Sequence, residues 1–355
     1  MKHQDLIFTN DVASHIDALV AKYRPSKVFV LVDENTQKLV LPQLSKASSA
    51  IDNASVIIIN AGDTNKNIES LSHIWAQLVE GGATRKSVLI NLGGGVITDI
   101  GGFAGATFKR GIRFINVPTT LLSAVDAAVG GKTGINFNGF KNEIGAFCEA
   151  EAVIISTCFF ASLSNEELLS GYAEMLKHGL ISNADTYNRL LANDVVNINV
   201  EELLQLLEES VMVKKRVVEE DPTEKGIRRA LNLGHTAGHA FESLALRRNK
   251  PIPHGYAVAW GLVVELVLSH MHLQFPSNEL NRLASYIYNN YGAFAISCDD
   301  YPALIEFMRH DKKNDSANEI NFTMLKNVGD IHIDCIASEE EIKTALDIYR
   351  DFMHI

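Results

Sequence analysis

Apolar positions in the first part of the chain come in short, nearly unbroken runs. KVFVLVD (27–33), ASVIIINAGD (54–63), KSVLINLGGG (86–95) and RFINVPTT (113–120) are rich in β-branched residues and read as strands. Between the second and third, residues 66–80 change to helical spacing, with Ile68, Leu71, Ile74, Trp75, Leu78 and Val79 apolar. Strands that are apolar on both faces and alternate with helices predict a parallel sheet covered on both sides. Ligands of such a sheet gather beyond the carboxyl ends of its strands. That points to Asp33, residues 62–66, residues 93–99, Thr119 and Thr120.

After about residue 160 the pattern changes. SNEELLSGYAEMLKHGLI, NVEELLQLLEESVMVKKRVVEE, HGYAVAWGLVVELVLSHMHL and SNELNRLASYIYNNYG are long and helical, and only a short strand near 321–324 is expected. The prediction is an α/β domain over residues 1–160 followed by a mainly α-helical domain over 161–355. No low-complexity linker separates them, so close packing around a cleft is expected. The apolar stretch AVAWGLVVELVL carries Glu265 and reads as a buried helix.

Composition narrows the class. The 355 residues, 46% hydrophobic, suffice for about two domains at roughly 150 residues each. Acidic residues outnumber basic ones 43 to 32, a net charge of −11. Nucleic acid and anionic membranes need a basic footprint, so neither is expected as a partner. A single small anion is not excluded, because a few cations can gather locally. Cys148, Cys158, Cys298 and Cys335 are scattered without a CxxC pair, which predicts buried apolar residues, not disulfides or a thiolate zinc site. The N-terminal MKHQDLIFTNDVASH has no apolar signal-peptide core, so a soluble cytoplasmic protein is expected.

Candidate chemistry begins at NLGGGVITDIGGFAGATFKRG, which follows a strand and opens a helix. Gly93, Gly94 and Gly95 would let a backbone approach a phosphate at the helix start; a plain tight turn is the other reading. Asp99, four residues on, favours a dinucleotide pyrophosphate. Gly101, Gly102, Gly105 and Ala106 suggest close helix packing. Asp33 could hold a ribose hydroxyl or simply end its strand, and Asp63 with Lys66 would by themselves be a capping pair. The stretch DAAVGGKTGINFNGFKNEIGAF (126–147) reads as a loop folded around an anion, with Lys132 and Asn142 as ligands and Arg110 as a further grip. It is not a P-loop, because Asp126 stands at the first glycine position.

The helical half carries metal candidates. LNLGHTAGHAFE places His235 and His239 at i,i+4 on one helix face, His254 precedes a long apolar helix, and Glu174 lies three residues before Lys177. One glutamate and two histidines would leave a coordination position open for a substrate oxygen. Four histidines are in range, His178, His235, His239 and His254, and spacing does not choose among them. Lys214 and Lys215 lie in an amphipathic helix, Glu224 and Arg228 are i,i+4 upstream of Asn232, and DKKND (311–315) reads as a surface charge run. A metal-dependent enzyme using NAD on an anionic substrate fits these features, and a polyol dehydrogenase would share most of them.

At these residues the chain resembles the 3-dehydroquinate synthase family, NAD- and metal-dependent sugar phosphate cyclases of the shikimate pathway. The matching stretches are GGGVITDIGGFAGATFKRGI, PTTLLSAVDAAVGGKTGINFNGFKNEIGAF, SGYAEMLKHGLI, LNLGHTAGHAFE, HGYAVAWG and DKKN. The resemblance implies a Rossmann-like NAD-binding domain, a helical metal-binding domain and a homodimer. It implies zinc or cobalt on Glu174, His235 and His254. It implies a carbocyclic substrate site lined by Asp126, Lys132, Lys177, Lys214, Glu224, Arg228, Asn232 and Lys312. Arg110 of a neighbouring subunit, Lys132, Asn142, Asn232, His239 and Lys312 resemble the phosphate-binding and catalytic group. Asp33, Asn35, Asp63, Lys66, Gly94, Gly95, Asp99, Thr119, Thr120, Lys132, Lys141, Ser162 and Glu167 match NAD positions. The implied substrate is 3-deoxy-D-arabino-heptulosonate 7-phosphate. Cyclases making an inosose, a valiolone or an aminated analogue would keep most of these motifs. Three positions depart from the family pattern: Asp63 for Glu, Thr98 for Gly, and Tyr256 for the Glu of HGEAV.

Overall fold

Ten strands and the helices between them are defined in the computed structural model, which describes residues 4–138, 140–310 and 319–355. The chain divides into two units. The first comprises Met1–Ser164 and Asn199–Val211, the second Asn165–Ile198 and Met212–Ile355.

The first unit is built on a six-stranded parallel sheet. Its strands are β1 (Asp5–Phe8), β2 (Val28–Asp33), β3 (Ser55–Ile59), β4 (Val88–Gly93), β5 (Arg113–Pro118) and, after the hairpin strands β6 (Lys132–Phe137) and β7 (Phe140–Phe147), β8 (Ala152–Ile155). Their order is β1-β8-β5-β4-β2-β3. β4 and β8 are buried along their whole length, as expected of strands covered on both faces. One side of the core joins Val30, Val32, Ile90, Ile115 and Ile154 to Ile16 and Leu19 of the helix Val12–Tyr23. Inside the sheet, Asn91 Nδ2 donates to Asn116 Oδ1 at 2.8 Å, and Asn116 Nδ2 in turn donates to the Ala128 carbonyl at 3.3 Å.

Two strands escape the sequence pattern. β1 and β8 have only four residues each, too short to stand out from their polar flanks. The stretch read as an anion-binding loop is instead ordered as an antiparallel hairpin, β6 with β7. Gly134 and Gly145 face each other there, and a Cβ on Gly145 would lie 2.1 Å from the Thr133 carbonyl oxygen. Gly134 and Gly145 therefore serve close strand packing.

The second unit is mainly helical around His254–Leu273, which is buried from Ala257 to Ser269. That helix is long and apolar enough to cross a membrane, but most of it is covered by protein. Its neighbours include the helices Asn165–Ser182, His235–Arg247, Ser277–Tyr291 and Glu339–Phe352. The short strand expected near 321–324 is β9 (Asn321–Asn327), paired antiparallel with β10 (Asp330–Ile336). The cysteine expectation fails in part: all four are free, but Cys158 and Cys298 are exposed and Cys148 and Cys335 half-buried.

Candidate active site

In the second unit three helices bring one carboxylate and two imidazoles together. Glu174 lies in the middle of Asn165–Ser182, fully buried. His235 opens the helix His235–Arg247, entered through Gly234 at φ 80°, where a side chain would be strained and would also strike Leu262. His254 opens His254–Leu273. The carboxylate of Glu265, buried in that last helix, accepts from the backbone N–H of Gly234 at 2.6 Å and of Ala237 at 3.1 Å. It thus caps the His235 helix from outside. Close approach is set by glycine: a Cβ on Gly255 would lie 1.8 Å from the Ser170 carbonyl oxygen, and one on Gly261 2.0 Å from that of Gly234.

His235 Nε2 and His254 Nε2 lie 3.3 and 3.5 Å from Glu174 Oε1, and the Lys177 ammonium pairs with Oε2. Neither carboxylate oxygen has a hydrogen bond of good geometry among the described residues. The ligand atoms of Glu174, His235 and His254 all lie within 4.8 Å of one another. A buried anion faced by two imidazole nitrogens fits a divalent cation such as zinc or cobalt. Burial raises the Glu174 carboxyl, but Lys177 and His235 outweigh it and hold it well below the usual range, so it is ionised. Burial and Lys177 push His235 down to about 4, leaving the neutral imidazole a metal requires. At His254 burial favours the neutral ring, yet Glu242 and Glu174 raise it to about 10. Glu242, unassigned from sequence, approaches His254 Nδ1 at 3.2 Å. A signal was present: it stands at i+7 from His235, on the face shared with His239.

The remaining candidates of this unit include three buried cations, Lys177, Lys214 and Arg228. Glu224 and Arg228, four residues apart, do not share a helix. The helix Val200–Glu220 has ended, Glu224 sits at φ 60°, and Arg228 belongs to a 3-10 turn, Ile227–Asn232. Asp221 organises this turn by accepting from the backbone N–H groups of Lys225, Gly226 and Arg228. Asn232 Nδ2 donates to Glu224 Oε1 at 3.3 Å. His239 stacks edge-on to His235, ring centroids 5.4 Å apart. Tyr256, at a departing position, packs against Trp260 and Tyr291. Glu167 is exposed in the first turn of its helix. Lys312 lies outside the described residues.

In the first unit β4 runs through Gly93 into the helix Gly95–Thr107, whose N-cap Gly94 supplies no side chain. Such a helix start suits an anion. Thr119 N–H donates to the Gly93 carbonyl, and a Cβ on Gly94 would press on Thr120 at 3.2 Å. Thr98, another departure, is buried and donates to the Gly95 carbonyl at 3.2 Å. Lys66, 4% exposed, pairs with Asp99 and donates to Asn142 Oδ1. Lys66 and Asp63 are therefore not a capping pair. Asn67 caps the helix Ile68–Glu80, and Asp63 faces Lys141 at 3.8 Å and Asn136 at 3.3 Å. Asp33 both ends β2 and caps Glu34–Leu39, its Oδ1 accepting from the N–H groups of Asn35 and Thr36. Ser162 closes a short 3-10 turn, and Arg110 and Lys132 are exposed. Asp126 lies in a π-type turn, Ser123–Ala127.

Residues 56–170 match the 3-dehydroquinate synthase N-terminal family and residues 171–314 the 3-dehydroquinate synthase C-terminal family. A 3-dehydroquinate synthase of Parabacteroides distasonis is 50% identical over 351 residues, covering 99% of both chains. Among solved structures, 2-deoxy-scyllo-inosose synthase complexed with carbaglucose-6-phosphate, NAD+ and Co2+ is similar with a TM-score of 0.84 at 21% identity, over 98% of this chain and 96% of that one. ValA, a 2-epi-5-epi-valiolone synthase of Streptomyces hygroscopicus with NAD+ and Zn2+ bound, gives 0.83 at 23%, over 98% and 97%. At those identities the two structures speak for the fold. With both family segments matched and half of all positions identical over nearly the whole of a curated relative, the chain belongs to the 3-dehydroquinate synthase family.

Proposed function

We propose that this enzyme converts 3-deoxy-D-arabino-heptulosonate 7-phosphate to 3-dehydroquinate and phosphate, as a carbon–oxygen lyase. The observation carrying this reading is the buried Glu174 carboxylate faced by His235 and His254, in a chain half identical to a 3-dehydroquinate synthase. Glu174, His235 and His254 would hold zinc or cobalt. Asp33, Asn35, Asp63, Lys66, Gly94, Gly95, Asp99, Thr119, Thr120, Lys132, Lys141, Ser162 and Glu167 would hold NAD. When bound, the metal would polarise the C5 hydroxyl, and NAD would take the hydride from carbon C5 and later return it.

The chain's own residues supply the rest. Arg110, Lys132, Asn142, Asn232, His239 and Lys312 would bind and orient the phosphate. A C5 ketone acidifies the C6 proton, and the departing phosphate can itself accept it. The resulting enolate-like charge would be stabilised by buried Lys177, Lys214 and Arg228. Asp126, Glu224 and Asn232 would fix the hydroxyls of the ring as it opens and closes by aldol addition. We place the enzyme in the cytoplasm as a homodimer, with Arg110 reaching a neighbouring subunit.

One assay decides. Heptulosonate phosphate with NAD should release phosphate without accumulating NADH, and a chelator should abolish release. Steady NADH formation from a simple polyol would instead identify a dehydrogenase.

A further inference from the structure

Glu242 has no role in the reaction as described, yet it is an acid with only 8% of its surface exposed. It lies on the same helix as His235, and its Oε2 is 3.2 Å from His254 Nδ1. The other nitrogen of that ring, Nε2, faces Glu174 Oε1 at 3.5 Å. An ionised carboxylate only accepts hydrogen bonds, and a neutral imidazole carries one N–H and one lone pair. A metal would displace the proton on Nε2, and a carboxylate at Nδ1 would then hold the remaining N–H there, leaving Nε2 to coordinate on the side of Glu174 and His235.

We infer that Glu242 is a positioning residue of the metal centre: it selects the His254 tautomer, fixes the ring plane and makes Nε2 a better donor. The inference rests on the metal reading of Glu174, His235 and His254. The geometry matches the general carboxylate–histidine–metal relay, whose loss costs about 10–100-fold in metal affinity. A competing use of the same groups exists. Ligand atoms of His239, Glu242 and His254 also lie within 4.8 Å of one another, so Glu242 could belong to a second cation site.

The test uses the full chain stripped of metal and titrated with Co2+, read by visible absorption and by competition with a chromophoric chelator. The wild type should bind one cobalt per chain. E242L should bind about 10–100-fold more weakly, with an altered cobalt spectrum. E242Q, whose amide oxygen still accepts from Nδ1, should fall between the two. F241L removes packing against Phe294 and Tyr349 beside this position and should lower the melting temperature while keeping the wild-type cobalt affinity. Wild-type affinity and spectrum in E242L would overturn the inference; should E242L not fold, the same result in E242Q would. Two cobalt ions per wild-type chain would also overturn it, in favour of a second site. Failure of the wild type to bind cobalt would instead defeat the underlying metal reading.

Discussion

Replacing Gly255 with alanine tests whether a single close approach assembles the proposed metal ligands Glu174 and His254. The new Cβ would lie 1.8 Å from the Ser170 carbonyl oxygen and within 2.6 Å of its Cα, whereas ordinary contact starts at 3.4 Å. The backbones must therefore part by about 1.6 Å, the difference of 3.4 and 1.8. Ser170 lies one helical turn before Glu174, and Gly255 directly follows His254, so the shift passes straight into the 3.5 Å separation of Glu174 Oε1 and His254 Nε2. Metal–ligand distances tolerate about 0.2 Å, so the displacement is several times too large. Overpacking against backbone costs about 3 kcal/mol. Alanine's helix propensity returns about 1 kcal/mol. The net loss of about 2 kcal/mol corresponds to a melting temperature about 4–8 °C lower for the second unit. Metal affinity should fall by about 100-fold or more, about 2.8 kcal/mol. Thermal unfolding of the metal-free chain and chelator competition measure the two effects. A G255A protein with wild-type melting and wild-type affinity would refute the reasoning.

Other consequences follow from single contacts. Glu265→Ala strands the buried N–H groups of Gly234 and Ala237 and should destabilise the chain by about 2–5 kcal/mol; an unchanged urea midpoint would remove Glu265 as a cap. Lys66→Met breaks the pair with Asp99 and the bond to Asn142 and should weaken NAD binding by about tenfold or more; equal affinity by calorimetry would take Lys66 out of the nucleotide site. Asp17→Ala removes acceptors from Ser48 Oγ and the Ser49 and Ala50 N–H groups and should cost about 1 kcal/mol at pH 7. Burial raises the Asp17 carboxyl, but these bonds outweigh it and lower its pKa. The stabilisation is then fully present above about pH 4 and declines as pH falls toward the lowered folded value, so a wild-type advantage undiminished between about pH 7 and about pH 2 would contradict it.

Much of the fold was legible because its signals are local. Runs such as VLINLG and VFVLVD need both faces covered wherever they lie, and they became β4 and β2. The four-residue strands β1 and β8 carry too few positions for any period to emerge. The glycines of 126–147 suggested a loop folded around an anion, because a pairing of Gly134 with Gly145 cannot be seen from either alone. Asp63 and Lys66 looked like partners by proximity along the chain, but the partners of Lys66 came from Asp99 and Asn142.

The sequence by itself determined four strands of the parallel sheet, the helical character of the second half, the glycine turn at a helix start and the family motifs, all carried by neighbouring residues. Spacing placed four histidines near one carboxylate and could not choose among them. The tertiary structure adds distances. His235 and His254 each start a helix, and Gly255 and Gly261 let those helices approach until their Nε2 atoms face Glu174. It also set Glu242 behind His254 and Glu265 beneath Gly234, two buried acids unassigned from the sequence. A carboxylate's role depends on what faces it across a packed interface, and that is a property of distance in space, which periodicity along a chain does not contain.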